Sequence, residues 1–186
     1  MITAFGLLVT GCTDDPAPVE TTPASTPSLS PSPTPTTTPD APTPPQRPEA
    51  MSVADADGAA AAAAFFLSEL YPYTYGSRDL TEWNALSGQD CVLCNSVRSD
   101  VETLLANDET SQPGDVSVEW ATGGEVTQGQ WYRAELRLHQ GESRRYSGDG
   151  THVSTTPGAT VDALVVLTWD GSWTIDAVDF TIVGAS

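Results

Sequence analysis

The segment from Thr13 to Glu49 holds every proline of the chain except Pro72, Pro113 and Pro157, and is otherwise mostly Thr, Ser, Ala and Asp. Proline lacks a backbone N–H and fixes φ, so neither a helix interior nor a central strand can be built from such a run. With hardly any apolar side chains to bury, the segment cannot offset its conformational entropy. It is expected to be a disordered, polyproline-like spacer. At ~3.1 Å per residue its span is at most roughly 115 Å. Folding is thereby confined to residues 50–186, the size of one ordinary domain.

Just ahead of the spacer stands Leu8-Val9-Thr10-Gly11-Cys12. An apolar run, then small residues, then a cysteine is the pattern of a bacterial lipobox, in which the chain is cut before the cysteine and the sulfur carries a diacylglyceryl group. Residues 1–11 accordingly read as a lipoprotein signal peptide, and residues 12–49 as a lipidated Cys12 with its linker. The expected location is the extracytoplasmic face of the cell membrane. Met1 to Gly11 is too short to cross a bilayer as a helix, which needs about 20 apolar residues. Its first residues carry no basic side chain, whereas signal peptides open with one. The true start is therefore expected upstream of Met1.

The formal net charge is −18, from 25 acids against 7 arginines with no lysine. The body alone carries twenty of the acids and six of the arginines. Such a surface repels phosphate backbones and excludes nucleic acid as a partner. It also keeps an exported domain soluble.

In the body, Asp55 and Asp57 suit the positive end of a helix dipole, and Ala59, Ala62, Ala63, Phe66 and Leu70 recur at helical spacing. Pro72 is expected to end this helix. Asp79-Leu80-Thr81-Glu82 resembles a capping box opening a short helix that turns Leu80, Trp83 and Leu86 inward. A third helix starts near Asp90, buries Cys94, Val97, Val101 and Leu104, and stops at Asn107. Beyond Gly114 the period becomes two. Val116, Val118 and Trp120 share one face, Gly123-Gly124 is expected to turn the chain, and Tyr132, Ala134, Leu136 and Leu138 face inward on the next strand. Gln140-Gly141 turns into a polar strand around Arg144-Arg145-Tyr146, followed by a Gly-rich loop at Gly148-Asp149-Gly150. Asp170-Gly171 reads as a two-residue hairpin loop placing Thr168 opposite Trp173 and Val166 opposite Ile175, and the two strands it joins, apolar on both faces, are expected at the centre of the sheet.

Helices first and a strand meander afterwards make an α+β fold, with N-terminal helices packed on a curved antiparallel sheet of four to six strands. This order of elements resembles the cystatin-like cone of the nuclear-transport-factor-two-like superfold. That superfold hosts enzymes, binders and scaffolds alike. The run from Phe66 through Tyr71-Pro72-Tyr73-Thr74-Tyr75 to Asp79, with Trp83, Ala85-Leu86-Ser87 and Cys91-Val92-Leu93-Cys94, is also similar to a family of actinobacterial lipoproteins of unknown function. The resemblance implies an envelope location and a disulfide between Cys91 and Cys94. It brings no catalytic residue.

A Cys-x-x-Cys pair at a helix start is also where a redox-active site would stand. Here it lies between helices rather than after a parallel strand, so a structural disulfide is the preferred reading. Zinc needs about four ligands, and only His139 and His152 supplement the pair. No Gly-x-Ser-x-Gly, phosphate-binding loop or His-Glu-x-x-His occurs, so neither a catalytic residue nor a cofactor or metal is assigned. Tyr71, Tyr73, Tyr75 and Trp83, together with Trp120 and Trp131, are candidates for lining a pocket in the cone. The expected function is a membrane-anchored, non-catalytic domain that binds a small molecule or an envelope partner. The alternatives are an enzyme using the pocket or the cysteine pair, and a structural accessory domain.

Overall fold

The computed structural model describes residues 42–185. The expected signal peptide, Cys12 and the first twenty-nine residues of the expected spacer, 13–41, lie outside them. A 3-10 turn at Glu49–Ser52 leads into a long helical stretch made of α1 (Ala56–Phe65), a π-helical turn (Phe66–Leu70) and α2 (Tyr71–Ser77). Then come α3 (Thr81–Leu86) and α4 (Val92–Ala106), followed by strands β1 (Thr110–Gln112), β2 (Val116–Thr127), β3 (Trp131–Gln140), β4 (Ser143–Tyr146), β5 (His152–Thr156), β6 (Ala159–Trp169) and β7 (Trp173–Ala185). Strands β2-β3-β6-β7 form an antiparallel sheet in that order, and β1-β4-β5 form a second, smaller one. The fold is α+β.

Asp55 caps α1, its carboxylate accepting from Gly58 N at 2.7 Å. The helical stretch does not end at Pro72. Tyr71 N–H donates to Phe66 O five residues back, so the hydrogen-bond ladder has already widened by one residue where proline, lacking a donor, enters. The Ser68 hydroxyl donates to Ala64 O and the Thr74 hydroxyl to Leu70 O. The stretch closes at Arg78, whose backbone is left-handed at φ 60°. Asp79 stands one residue ahead of the position expected for an N-cap: its Oδ1 accepts from both Thr81 N and the Thr81 hydroxyl, while Leu80 occupies the cap.

The sheet's inner face carries Tyr132, Ala134, Leu136 and Leu138 from β3, Ala163, Val165 and Leu167 from β6, and Trp173 and Ile175 from β7, all buried. Against it pack Phe65, Phe66, Leu70, Trp83 and Leu86, with Val97 and Val101 of α4. At about 25 cal/mol per Å² this shared apolar burial is the main stabilising term. Trp83 stacks on Phe66 with ring centroids 4.1 Å apart, and its Nε1 donates to Cys94 O at 3.1 Å. Trp173 Nε1 donates to Met51 O at 2.9 Å, which ties the entry of the body to the start of β7.

Three strand expectations are corrected. Gly123-Gly124 is not a turn: β2 runs on to Thr127, and the chain reverses around Gly129, at φ 69°. Glycine is needed at 123 because a Cβ there would lie 1.7 Å from Ala56 O, so the start of α1 rests directly on the strand backbone. The β6–β7 loop has three residues, Asp170 to Ser172, rather than two. Trp169 pairs with Trp173 and Leu167 with Ile175. This register puts the apolar residues of both strands on the core face, which a slip by one would undo. Finally, β7 is an edge strand and not the centre of the sheet.

Candidate site: a two-compartment cavity at one end of the sheet

The π-turn and α2 carry Leu67, Tyr71 and Tyr75 over the ends of β2, β3 and β6, where Val116, Gln140 and Val161 lie. Two cavities of about 250 Å³ each open there, with Tyr71 and Gln140 as a common wall. Each alone falls below the roughly 300–1,000 Å³ usual for small-molecule sites; the two side by side fall within it. The first is bounded by Leu67, Leu93, Leu138, Val161 and Phe180 and is largely apolar. The second is bounded by Tyr75, Asp100, Ser111, Ser143, Arg145 and Thr156 and is rich in hydroxyls.

Tyr71 and Tyr75 meet edge to face with centroids 5.0 Å apart. The Tyr75 hydroxyl donates to Asp100 Oδ2 at 2.9 Å. Burial pushes the Tyr75 phenol well above its usual range, helped by Tyr71 and by the Asp100 carboxylate. Burial likewise raises Tyr71, opposed by its Tyr75 and Gln140 neighbours. Both phenols are thus neutral hydroxyls able to donate and accept. Arg145 Nη2 donates to Glu109 Oε2 at 2.6 Å, so the cavity's guanidinium is already paired, while its buried Nε has no partner.

The six candidate aromatics do not act together. Tyr71 and Tyr75 line the cavities. Tyr73 donates to Asp79 Oδ2 at 3.3 Å on another side of α2. Trp83 is fully buried in the core. Trp120 is corrected to the outward face: a bulge between Val118 and Trp120 reverses its side, and its ring lies under the Arg137 guanidinium at 5.8 Å. Trp131 precedes the inward Tyr132 and is therefore outward, 48 % exposed. On that face Arg137 holds Asp162 bidentately at 2.7 and 2.9 Å, and this ion pair keeps the Asp162 carboxyl below its ordinary range. Asp100, Gln140, Ser143, Arg145 and Phe180 were missed by sequence reasoning. The polar strand around Arg145 was the one visible signal, and its partner segment β1 had none.

Cys91 and Cys94 form a disulfide at the start of α4, with both residues fully buried. A third cleft, about 420 Å³, lies between Arg47 to Ser52 and the β6–β7 loop. His139 contacts Glu119 and Thr160, and His152 contacts Thr155. Among the described residues no cluster of three or more metal-binding side chains occurs.

Residues 32–179 match a family described as a family of unknown function, DUF6318. The chain belongs to that family. The DUF6318 match runs through the helices and through most of the strands, well past the helical segment that carried the resemblance in the sequence. None of the curated proteins matches this DUF6318 chain. Among solved structures it is similar to the intermembrane space region of the chloroplast protein ARC6, at 10 % identity and a TM-score of 0.42, covering 64 % of this chain and 88 % of that one. It is also similar to an uncharacterized protein with a cystatin-like fold from Caulobacter vibrioides, at 12 % identity and a TM-score of 0.41, covering 66 % and 89 %.

Proposed function

We propose that this DUF6318 chain is an actinobacterial envelope lipoprotein, anchored through Cys12 on the extracytoplasmic face, whose body is a non-catalytic binding domain. The observation that carries the reading is the opposition of two ends. The body is entered at Arg47 to Met51, where Arg47 pairs with Glu82 at 2.8 Å and Met51 O accepts from Trp173 beside the β6–β7 loop. The two cavities lie at the other end of β6, near Val161, about 25 Å away at ~3.3 Å per residue. A tether reaching the first end leaves the cavity mouth unobstructed. Thiol–disulfide catalysis is disfavoured, since exchange requires attack on a sulfur and both cysteines are inaccessible.

The anchor is tested by Cys12→Ala, which is expected to move the chain from the membrane fraction to the medium. Several acyl chains, at about 0.8 kcal/mol per buried CH₂, hold firmly, and their loss is decisive. An unchanged membrane fraction refutes the anchor. The binding role is tested by native mass spectrometry of the chain isolated from its own membranes, where a co-purifying small molecule is the expected result.

A further inference from the structure

Resting on that reading, we infer that the paired cavities take a single-chain amphiphile with an uncharged, hydroxyl-bearing head, its chain among Leu138, Val161 and Phe180 and its head beside Tyr75, Ser143 and Thr156. The shared wall of Tyr71 and Gln140 makes the two compartments neighbours, so one molecule that is apolar at one end and polar at the other meets both linings. Phe180 is 41 % exposed although it bounds the apolar cavity, so a chain seated there would cover apolar surface now facing water.

The head group follows from the donors and acceptors on the second lining. Tyr71, Tyr75, Ser111, Ser143 and Thr156 supply hydroxyls, and Gln140 supplies an amide. These groups both donate and accept, and their complement is a set of hydroxyls that do the same. A charged head is poorly served. The charge of the Arg145 guanidinium is already balanced by Glu109, so its unpartnered Nε–H serves a hydroxyl as a donor better than it holds a phosphate or carboxylate, and the acidic body repels anions. Asp100 already accepts from Tyr75, so an ammonium would compete with that hydroxyl for its carboxylate. A site lined to hydrogen-bond hydroxyls discriminates strongly against molecules lacking them, because its own polar groups are left unpaired.

The test is calorimetric titration of the full chain with n-octyl β-D-glucoside below its micellar concentration, against octyl phosphate, octyltrimethylammonium and free glucose. The glucoside is expected to bind at least tenfold more tightly than any of the other three. Val161→Trp, filling the apolar cavity, and Ser143→Trp, filling the polar one, should each weaken it at least tenfold, whereas Leu164→Trp on the outward face should not. Tyr71→Phe, which keeps the ring and hence the packing, should weaken it about fivefold with an unchanged melting temperature. Equal or tighter binding of a charged octyl probe that Val161→Trp still blocks overturns the head-group inference while leaving the binding domain standing. Glucoside binding unaffected by either filling variant, or no binding of any probe to the folded chain, overturns the inference and also removes the cavity from the functional reading.

Discussion

The seat of α1 on β2 can be tested with two adjacent glycines. A Cβ at Gly123 would lie 1.7 Å from Ala56 O and 2.7 Å from its carbonyl carbon, where ordinary contact begins near 3.4 Å. The start of α1 must therefore retreat by about 1.7 Å in Gly123→Ala. That movement bears on the Asp55 cap and on the Tyr132 hydroxyl, which donates to Ala54 O at 2.8 Å. Overpacking of this kind costs about 1–3 kcal/mol and a lost hydrogen bond about 1, so a loss of roughly 2–4 kcal/mol is expected. At Gly124 the nearest atoms to a Cβ are Arg133 Nε and Cγ at 3.5 and 3.6 Å, so Ala fits. Gly124→Ala should be neutral or stabilising by up to about 1 kcal/mol, because glycine in a strand carries an entropic cost. Urea melts at constant m should separate the midpoints by about 1 M or more. Coincident midpoints would refute the claim that glycine at 123 serves close approach; two equally damaged variants would restore the tight turn that the dipeptide suggests.

Three further outcomes follow from the same geometry. Asp176, the bulged residue of β7 between the pairs Leu167–Ile175 and Val166–Ala177, has a buried Oδ2 without a partner, and burial raises its pKa. The folded state then holds this proton more tightly than the unfolded state, so stability falls as pH rises from the ordinary Asp value, about 3.9, through the raised one. Asp176→Asn should therefore melt higher than the parent at pH 7, with the gap closing at pH 3; a gap that widens on acidification contradicts this. Gly171 has φ 98° and open space around its Cβ, so Gly171→Val should lose more than about 1 kcal/mol in a urea melt through backbone strain alone, with Asp170→Asn nearly neutral. Replacing Cys91 and Cys94 together by Ala should cost about 2–3 kcal/mol, mostly the restored freedom of a short loop, while octyl glucoside binding at low temperature survives; loss of binding in a variant still folded by circular dichroism would tie the bridge to the cavity.

By itself the sequence determined what depends on neighbours along the chain. The helical spacing of Cys94, Val97, Val101 and Leu104, and the alternation of Tyr132, Ala134, Leu136 and Leu138, are local periodicities, and the structure buries those very residues. The order of helices before strands, hence the α+β class, was legible for the same reason. Tertiary packing decided the rest. Pro72 reads locally as a helix stop, but the wide turn at Phe66–Leu70 absorbs its missing N–H and carries Tyr71 and Tyr75 onward to the cavities. Gly123-Gly124 reads as a turn, whereas it is the approach of Ala56, some sixty-seven residues earlier, that demands a missing side chain. The hairpin register followed the pairing of Trp169 with Trp173 across the core face rather than the usual preference of Asp-Gly. The cavities were the least legible feature. Their walls come from the π-turn, α2, α4 and strands of both sheets, and no pattern along one stretch records a space enclosed by elements that only folding brings together.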